Sequence, residues 1–246
     1  MRAADAVPSV DARPHLASVL GFVPAAVIFD MDGVLADTEP INEQALAAVL
    51  ARRGASLTEE EYRGTVGQSN DTSWAWMIER FGLTDTAAVL EQEYECELLP
   101  MVSAGVVPSA GVVELVGELR ASGIRLAVAS SSPRVAVGAV LGALGLTRAF
   151  DVVVTGEDVA AGKPSPDIFR LASERLGVTP AECLVIEDSP HGIEAAHRAG
   201  MSSVAVKTRY IPRDALRADL VIDSIERLLG TKGGARRHGG CGRSET

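Results

Sequence analysis

Residues 25–40 read AAVIFDMDGVLADTEP, an apolar run that passes directly into two aspartates and a glycine. An unbroken apolar run of this kind suits a strand covered on both faces, as parallel sheets require. Asp30 and Asp32 then stand at its carboxyl end, where open α/β sheets bind ligands. Residues i and i+2 of an extended chain point to the same side, so both carboxylates can face one pocket, and Gly33 permits an immediate tight turn. Hard oxygen donors at this spacing suit Mg2+, which takes one or two carboxylates, keeps several waters and shares substrate phosphate. Acid pairs beside turns also arise from solvation and Asx-turns. Here, however, a buried strand leads straight into two charges, and a cation would remove the electrostatic cost.

Further apolar runs follow downstream: IRLAVAS (124–130), FDVVVTG (150–156), CLVIED (183–188) and SVAV (203–206), with helical patterns at 112–122, 134–144, 166–177 and 190–199 between them. This alternation predicts an α/β fold with a doubly wound parallel sheet. Between Asp30 and residue 123 the rhythm changes. Apolar residues recur at three-to-four spacing in 41–53, 59–63, 72–81 and 87–98, separated by Gly54, Gly67 and Gly82. An all-helical insert of roughly 65 residues is too long for a connection and predicts a second small domain. The expected organisation is a core built from 24–37 and 105–230, a helical cap over 38–104, and structureless extensions at 1–23 and 231–246, whose Pro, Gly and charge content sustains no period.

Polar residues mark the carboxyl ends of the other runs. Ser130 closes the second, Lys163 follows the third in GKPSPDIF, and Glu187 with Asp188 closes the fourth in CLVIEDSPHGIEAA. Singly, Ser130 also fits a helix cap, Lys163 a surface lysine and Glu187 a solvated loop acid. Jointly, polar groups at four strand ends describe a site.

With these residues in order, residues 24 to 228 resemble the haloacid dehalogenase superfamily, in the branch with a helical cap inserted after the first strand. The four motifs appear as Asp30-x-Asp32-Gly33-Val34, Ser130, Lys163 and Glu187-Asp188. The dehalogenases themselves lack the second aspartate, so Asp32 points to phosphoryl transfer. The resemblance implies Asp30 as nucleophile, forming an aspartyl-phosphate, and Asp32 as general acid and base. It implies Mg2+ as cofactor, held by Asp30, the carbonyl of Asp32, and Asp188, with Glu187 in or just outside the ligand set. Lys163 offsets negative charge, while Ser130 and the backbone amides following Asp30 and Ser130, the latter belonging to Ser131, hold the transferring phosphoryl group.

The stretch TVGQSNDTSWAW (65–76) resembles the family's cap loop, which makes Gly67, Gln68, Ser69 and Asn70 candidate contacts for a polyhydroxylated leaving group. Trp74 and Trp76 suit cap packing better than sugar stacking. The resemblance leaves β-phosphoglucomutase as the alternative enzyme. Such mutases carry a His where Asn42 stands, an Arg where Asn70 falls and a Lys near the return to the core, whereas 98–111 here contains no Lys or Arg. A phosphate-binding module without turnover is a further reading, opposed by the complete set of motif residues.

Composition bounds the partners. A net charge of −10 opposes nucleic acid or an anionic membrane surface. No stretch approaches the ~20 apolar residues of a membrane span, and Cys96, Cys183 and Cys241 form no close pair. A cytoplasmic enzyme for a small phosphorylated metabolite, monomeric or weakly dimeric, is expected.

Overall fold

The computed structural model describes residues 11–66, 68 and 70–230. Its centre is a six-stranded parallel sheet containing β1 (Ala26–Phe29), β4 (Arg125–Ser130), β5 (Val152–Thr155), β6 (Cys183–Glu187), β7 (Ser202–Val206) and β8 (Leu220–Ile222), in the order β5-β4-β1-β6-β7-β8. The strands whose sequences are continuously apolar are the central ones. Every residue of β1 and β6 is buried, whereas the edge strands β5 and β8 are only partly covered. Helices α6 (Val112–Ala121), α7 (Arg134–Ala143), α8 (Asp167–Leu176) and α9 (Pro190–Ala199) make the crossovers. They bury apolar clusters on both faces of the sheet, one around Phe29, Leu115 and Leu126 and the other around Ile28, Phe169 and Val185. This is the doubly wound arrangement that the strand pattern predicts.

After Asp30 the chain turns and forms a two-stranded antiparallel ribbon, in which β2 (Ala36–Asp37) pairs with β3 (Val107–Pro108). Between the two strands lie α2 (Glu39–Ala51), α3 (Glu59–Thr65), α4 (Asn70–Phe81) and α5 (Ala87–Ala104). Thr58 and Glu61 form a reciprocal capping box at the start of α3, and Thr86 accepts from the Val89 amide at the start of α5. Arg53 ties α2 to α5 through Asp85 at 2.8 Å and Glu93 at 2.9 Å. Helix α5 continues past Pro100, where the sequence pattern stops at 98. Leu98 and Val102 sit four residues apart on one buried face, and their packing offsets the interruption at proline.

The N-terminal expectation needs correction. Residues up to 23 read as a structureless extension, yet Arg13–Leu20 forms a helix, α1. Ala12 and Leu16 are buried in the main core, with Val19, Leu20 and Phe22 packed against it. The Ala12 amide donates to Ser122 Oγ at 2.8 Å, and the helix ends at Gly21, whose φ of 81° is a left-handed cap. The apolar face is too short to show a period by itself, and burial against the sheet domain supplies the stability. Residues 1–10 and 231–246 lie outside the described residues, as do Gly67 and Ser69.

Leu16→Ala should therefore lower unfolding stability by about 2–4 kcal/mol, read as a reduced urea midpoint at unchanged m. A solvated N-terminal arm would leave the midpoint where it was.

Candidate active site

The reversal of strand order at β1 creates a crevice. From β1 the chain builds β4 on one side and later β6 on the other, so their carboxyl ends open on a common cleft. Asp30 follows β1, Ser130 ends β4, Lys163 lies in the loop after β5, and Glu187 ends β6 with Asp188 next. Residues more than 150 positions apart thus converge.

Lys163 is at the centre, its side chain only 3% exposed. Its ammonium donates to Asp30 at 2.5 Å, Glu187 at 2.7 Å and the Ala129 carbonyl at 3.2 Å, so each of its three N–H groups has an acceptor. Phe169 lies beneath, with its ring centre 5.1 Å from Nζ. Glu187 uses its other oxygen to accept from the amides of Asp188 at 2.8 Å and Ser189 at 2.7 Å, and from Ser189 Oγ at 3.0 Å. Both of its oxygens therefore already accept from protein donors. A Cβ at Gly192 would fall on the Glu187 carboxylate, so the first turn of α9 reaches this position only with glycine.

Asp32 accepts from Ser132 Oγ at 2.8 Å and from Thr38 Oγ1. Two hydroxyls therefore fix the expected acid–base carboxyl, and they come from opposite sides of the cleft. Ser130 is fully buried, its Oγ accepting from the Ser132 amide at 3.1 Å. Ser131 and Ser132, one and two residues on, line the cavity instead. The Ser130 hydroxyl shapes the loop that presents these two.

Among the described residues lining the cavity, one cation, Lys163, stands against five carboxylates: Asp30, Asp32, Glu39, Glu187 and Asp188. Burial drives the Asp30 carboxyl up from the ordinary carboxylate range, and Glu187 and Asp32 add to the rise against the opposing pull of Lys163. Burial likewise raises Asp188 strongly, with Glu187 and Asp30 contributing. Burial alone would lower Lys163, but Asp30 and Glu187 outweigh it and keep the ammonium charged. The pair is thus asymmetric. Lys163 has two anions, whereas Asp30 shares one cation and is pushed towards its neutral form.

A divalent cation would resolve this imbalance, and the residues fit one. Asp188 Oδ2 is buried without a hydrogen-bond partner, and a Cβ at Gly33 would fall on that same carboxylate. Gly33, at φ 74°, therefore leaves open a cradle beside an orphaned oxygen. Among the described residues no cluster of three or more His, Cys, Asp or Glu is arranged to hold a metal. Two carboxylates, a carbonyl, waters and a substrate phosphate make a magnesium-type set, which needs no such cage.

The roof of the cavity comes from the cap. Gln68 lines it, with its amide donating to the Gly64 carbonyl at 2.7 Å, and α4 begins at Asn70. Trp74 is buried among cap residues as well as lining the cavity, while Trp76 lies on the surface and packs edge-on against Phe81. Sequence reasoning marked Asn42 but missed the lining residues Glu39, Tyr62 and Tyr94. Asn42 accepts from Tyr94 Oη at 3.0 Å, and Glu39, 6% exposed, accepts from Tyr62 Oη through its carboxylate. Glu39 directly follows the Thr38 that binds Asp32, but Glu-Pro at a helix start reads simply as dipole compensation. Its carboxyl is raised to about 7, first by burial and then by Asp32 and Asp37, opposed by the Tyr62 hydrogen bond and Arg209.

The family model for haloacid dehalogenase-like hydrolases matches residues 24–200. A phosphorylated carbohydrates phosphatase of Thermotoga maritima is 36% identical over 179 residues, covering 73% of this chain and 83% of that protein. The crystal structure of a CbbY point mutant from Rhodobacter sphaeroides in complex with xylulose-(1,5)bisphosphate superposes with a TM-score of 0.76 at 30% identity, covering 82% of this chain and 95% of that one. A β-phosphoglucomutase from Clostridium difficile gives 0.77 at 25% identity, over 85% and 95%.

The raised Glu39 carboxyl has a measurable consequence. Between about pH 4.5 and about pH 7 the folded protein keeps a proton that the unfolded chain releases. Its contribution to stability is complete below the unfolded value and is lost as pH rises through the folded one. Glu39→Gln should remove this dependence. Denaturant titrations from about pH 5 to about pH 8 should show the variant gaining on the wild type by on the order of 1–3 kcal/mol, and a pH-independent difference would contradict the assignment.

Proposed function

The chain belongs to the haloacid dehalogenase-like hydrolases and is a phosphomonoester hydrolase, and on that footing we propose that it is a magnesium-dependent phosphatase of a sugar or polyol phosphate, working through phosphorylated Asp30. The observation that carries the reading is Asp30 itself. It stands at the end of the central strand, lines the cavity and is paired with a buried lysine.

In this reading the Asp30 carboxylate attacks phosphorus in line, and the bond from phosphorus to the ester oxygen breaks. Asp32, oriented by Thr38 and Ser132, gives its proton to the departing oxygen. It then takes a proton from the water that attacks the aspartyl-phosphate, releasing phosphate and restoring Asp30. Lys163 and the amides after Asp30 and Ser130 oppose charge on the transferring group. Asp30, Asp188 and the Asp32 carbonyl would hold magnesium, which when bound supplies Lewis-acid stabilisation of the phosphoryl oxygens. Glu187 keeps Lys163 and the Asp188 loop in place.

Hydrolysis is favoured over isomerisation by charge. Among the described residues lining the cavity, Lys163 is the only Lys or Arg, and its donors are already engaged. A mutase must grip a second phosphate while its bisphosphate intermediate turns and water is kept out. Asn42 lines that region as a neutral residue. The substrate class follows the Thermotoga maritima relative and the neutral polar groups of the roof.

Asp30→Asn should keep the fold by circular dichroism and lose at least roughly 1,000-fold in turnover of p-nitrophenyl phosphate. Wild-type turnover should vanish on chelation and return with magnesium, and full activity in the chelated enzyme would rule out the metal. With β-glucose 1-phosphate and catalytic glucose 1,6-bisphosphate, phosphate release should outpace formation of glucose 6-phosphate. The reverse ratio would make the enzyme a mutase.

A further inference from the structure

Two buried oxygens without a hydrogen-bond partner lie beside the same glycine. One is Asp188 Oδ2, already placed among the residues that would hold magnesium, and the other is Thr208 Oγ1. A Cβ on Gly33 would stand 2.1 Å from Asp188 Oδ2 and 3.3 Å from Thr208 Cγ2. Oγ1 and Cγ2 are bonded to one carbon, so the threonine hydroxyl belongs to the same small space as the orphaned carboxylate oxygen. The fold brings them together. Strands β6 and β7 run in parallel with Glu187 opposite Ala205, so the chain that leaves β7 passes beside Asp188. The Lys207 amide is still tied to the sheet, donating to the Ile222 carbonyl at 2.9 Å, while Tyr210 and Ile211 are buried in the apolar cluster that joins cap and core. Thr208 is pinned between these two anchors.

A desolvated hydroxyl that meets no partner costs stability, and valine would fill the same volume without that cost. The residue type therefore points to a partner that arrives with a ligand. Magnesium keeps several waters when it binds to carboxylates, and a water on a divalent cation is a stronger hydrogen-bond donor because the cation draws charge from its oxygen. Resting on the magnesium reading, we infer that Thr208 is a positioning residue for the metal, its hydroxyl accepting a hydrogen bond from a water carried by the cation at Asp188. The contact satisfies the threonine and orients the hydrated side of the ion. Outer partners of this kind raise the affinity of a metal site and fix its orientation without touching the ion.

Thr208→Val keeps the shape of the side chain and deletes the hydroxyl. Magnesium chloride titrated at constant ionic strength raises the urea midpoint of a protein that binds it in the folded state, and the rise gives the dissociation constant with no substrate and no turnover involved. Each variant is referred to its own midpoint in chelator. Thr208→Val should bind magnesium roughly 10-fold more weakly than the wild type, and Thr208→Ser should restore the wild-type constant. Should Thr208→Val fail to fold, Thr208→Ala, which asks for less space, takes its place. Magnesium held as tightly by a folded variant without the hydroxyl as by the wild type would overturn the inference, as would a Thr208→Ser variant no better than Thr208→Val, with the magnesium reading intact in either case. A wild-type midpoint that magnesium does not move would remove the magnesium reading and this inference together.

Discussion

One buried ammonium organises this molecule. Lys163 sits buried between the Asp30 and Glu187 carboxylates, where an isolated charge of either sign would be costly. Its three hydrogen bonds bind the loop after β5 to the ends of β1, β4 and β6, so the electrostatic balance and the strand order support each other. Removing the lysine would leave Asp30 and Glu187 facing one another without compensation. Even with it present the cluster stays negative, and the Asp30 and Asp188 carboxyls are raised first by burial and then by the charges of their neighbours. A site with this imbalance suits a ligand that brings positive charge together with an anion.

The geometry depends on absent side chains as much as on present ones. Glu187 reaches Lys163 because Gly192 leaves space for it, and the Asp188 carboxylate lies against Gly33 because that residue has no side chain. Gly156 has a similar part, since a Cβ there would meet the Ser131 carbonyl in the loop that carries the cavity serines. Asp30, Glu187 and Asp188 crowd together beside one ammonium only where the backbone itself can approach closely.

The helices inserted after β2 do not form an isolated body. Leu46, Leu50, Tyr62, Trp74 and Met77 share one apolar cluster with Ile193, Tyr210 and Leu216 of the sheet domain, and α5 packs on α7. The cavity lies where this cluster gives way to polar groups, so its roof is positioned by the same packing that joins the two parts. Residues such as Leu46, Tyr62 and Trp74 therefore belong to the joint and to the cavity wall at once.

By itself the sequence determined five of the six strands, because strands covered on both faces must be rich in apolar residues, whereas the three-residue edge strand β8 was not read from it. It also determined the ordered acids, serine and lysine at strand ends, since a strand's carboxyl end is local to its own residues. It was silent where stability comes from distant partners. Helix α1 is too short to show a period and is ordered by burial against residues some hundred positions away. Ser132 meets Asp32 across 100 positions, and Tyr62 meets Glu39 across 23. Ser130 carries the family motif, yet the turn that its hydroxyl stabilises gives the cavity to its two successors. Only the tertiary structure decided which polar groups are buried, paired or left open, because desolvation and hydrogen bonding act between side chains that meet in space, and local sequence does not encode that meeting.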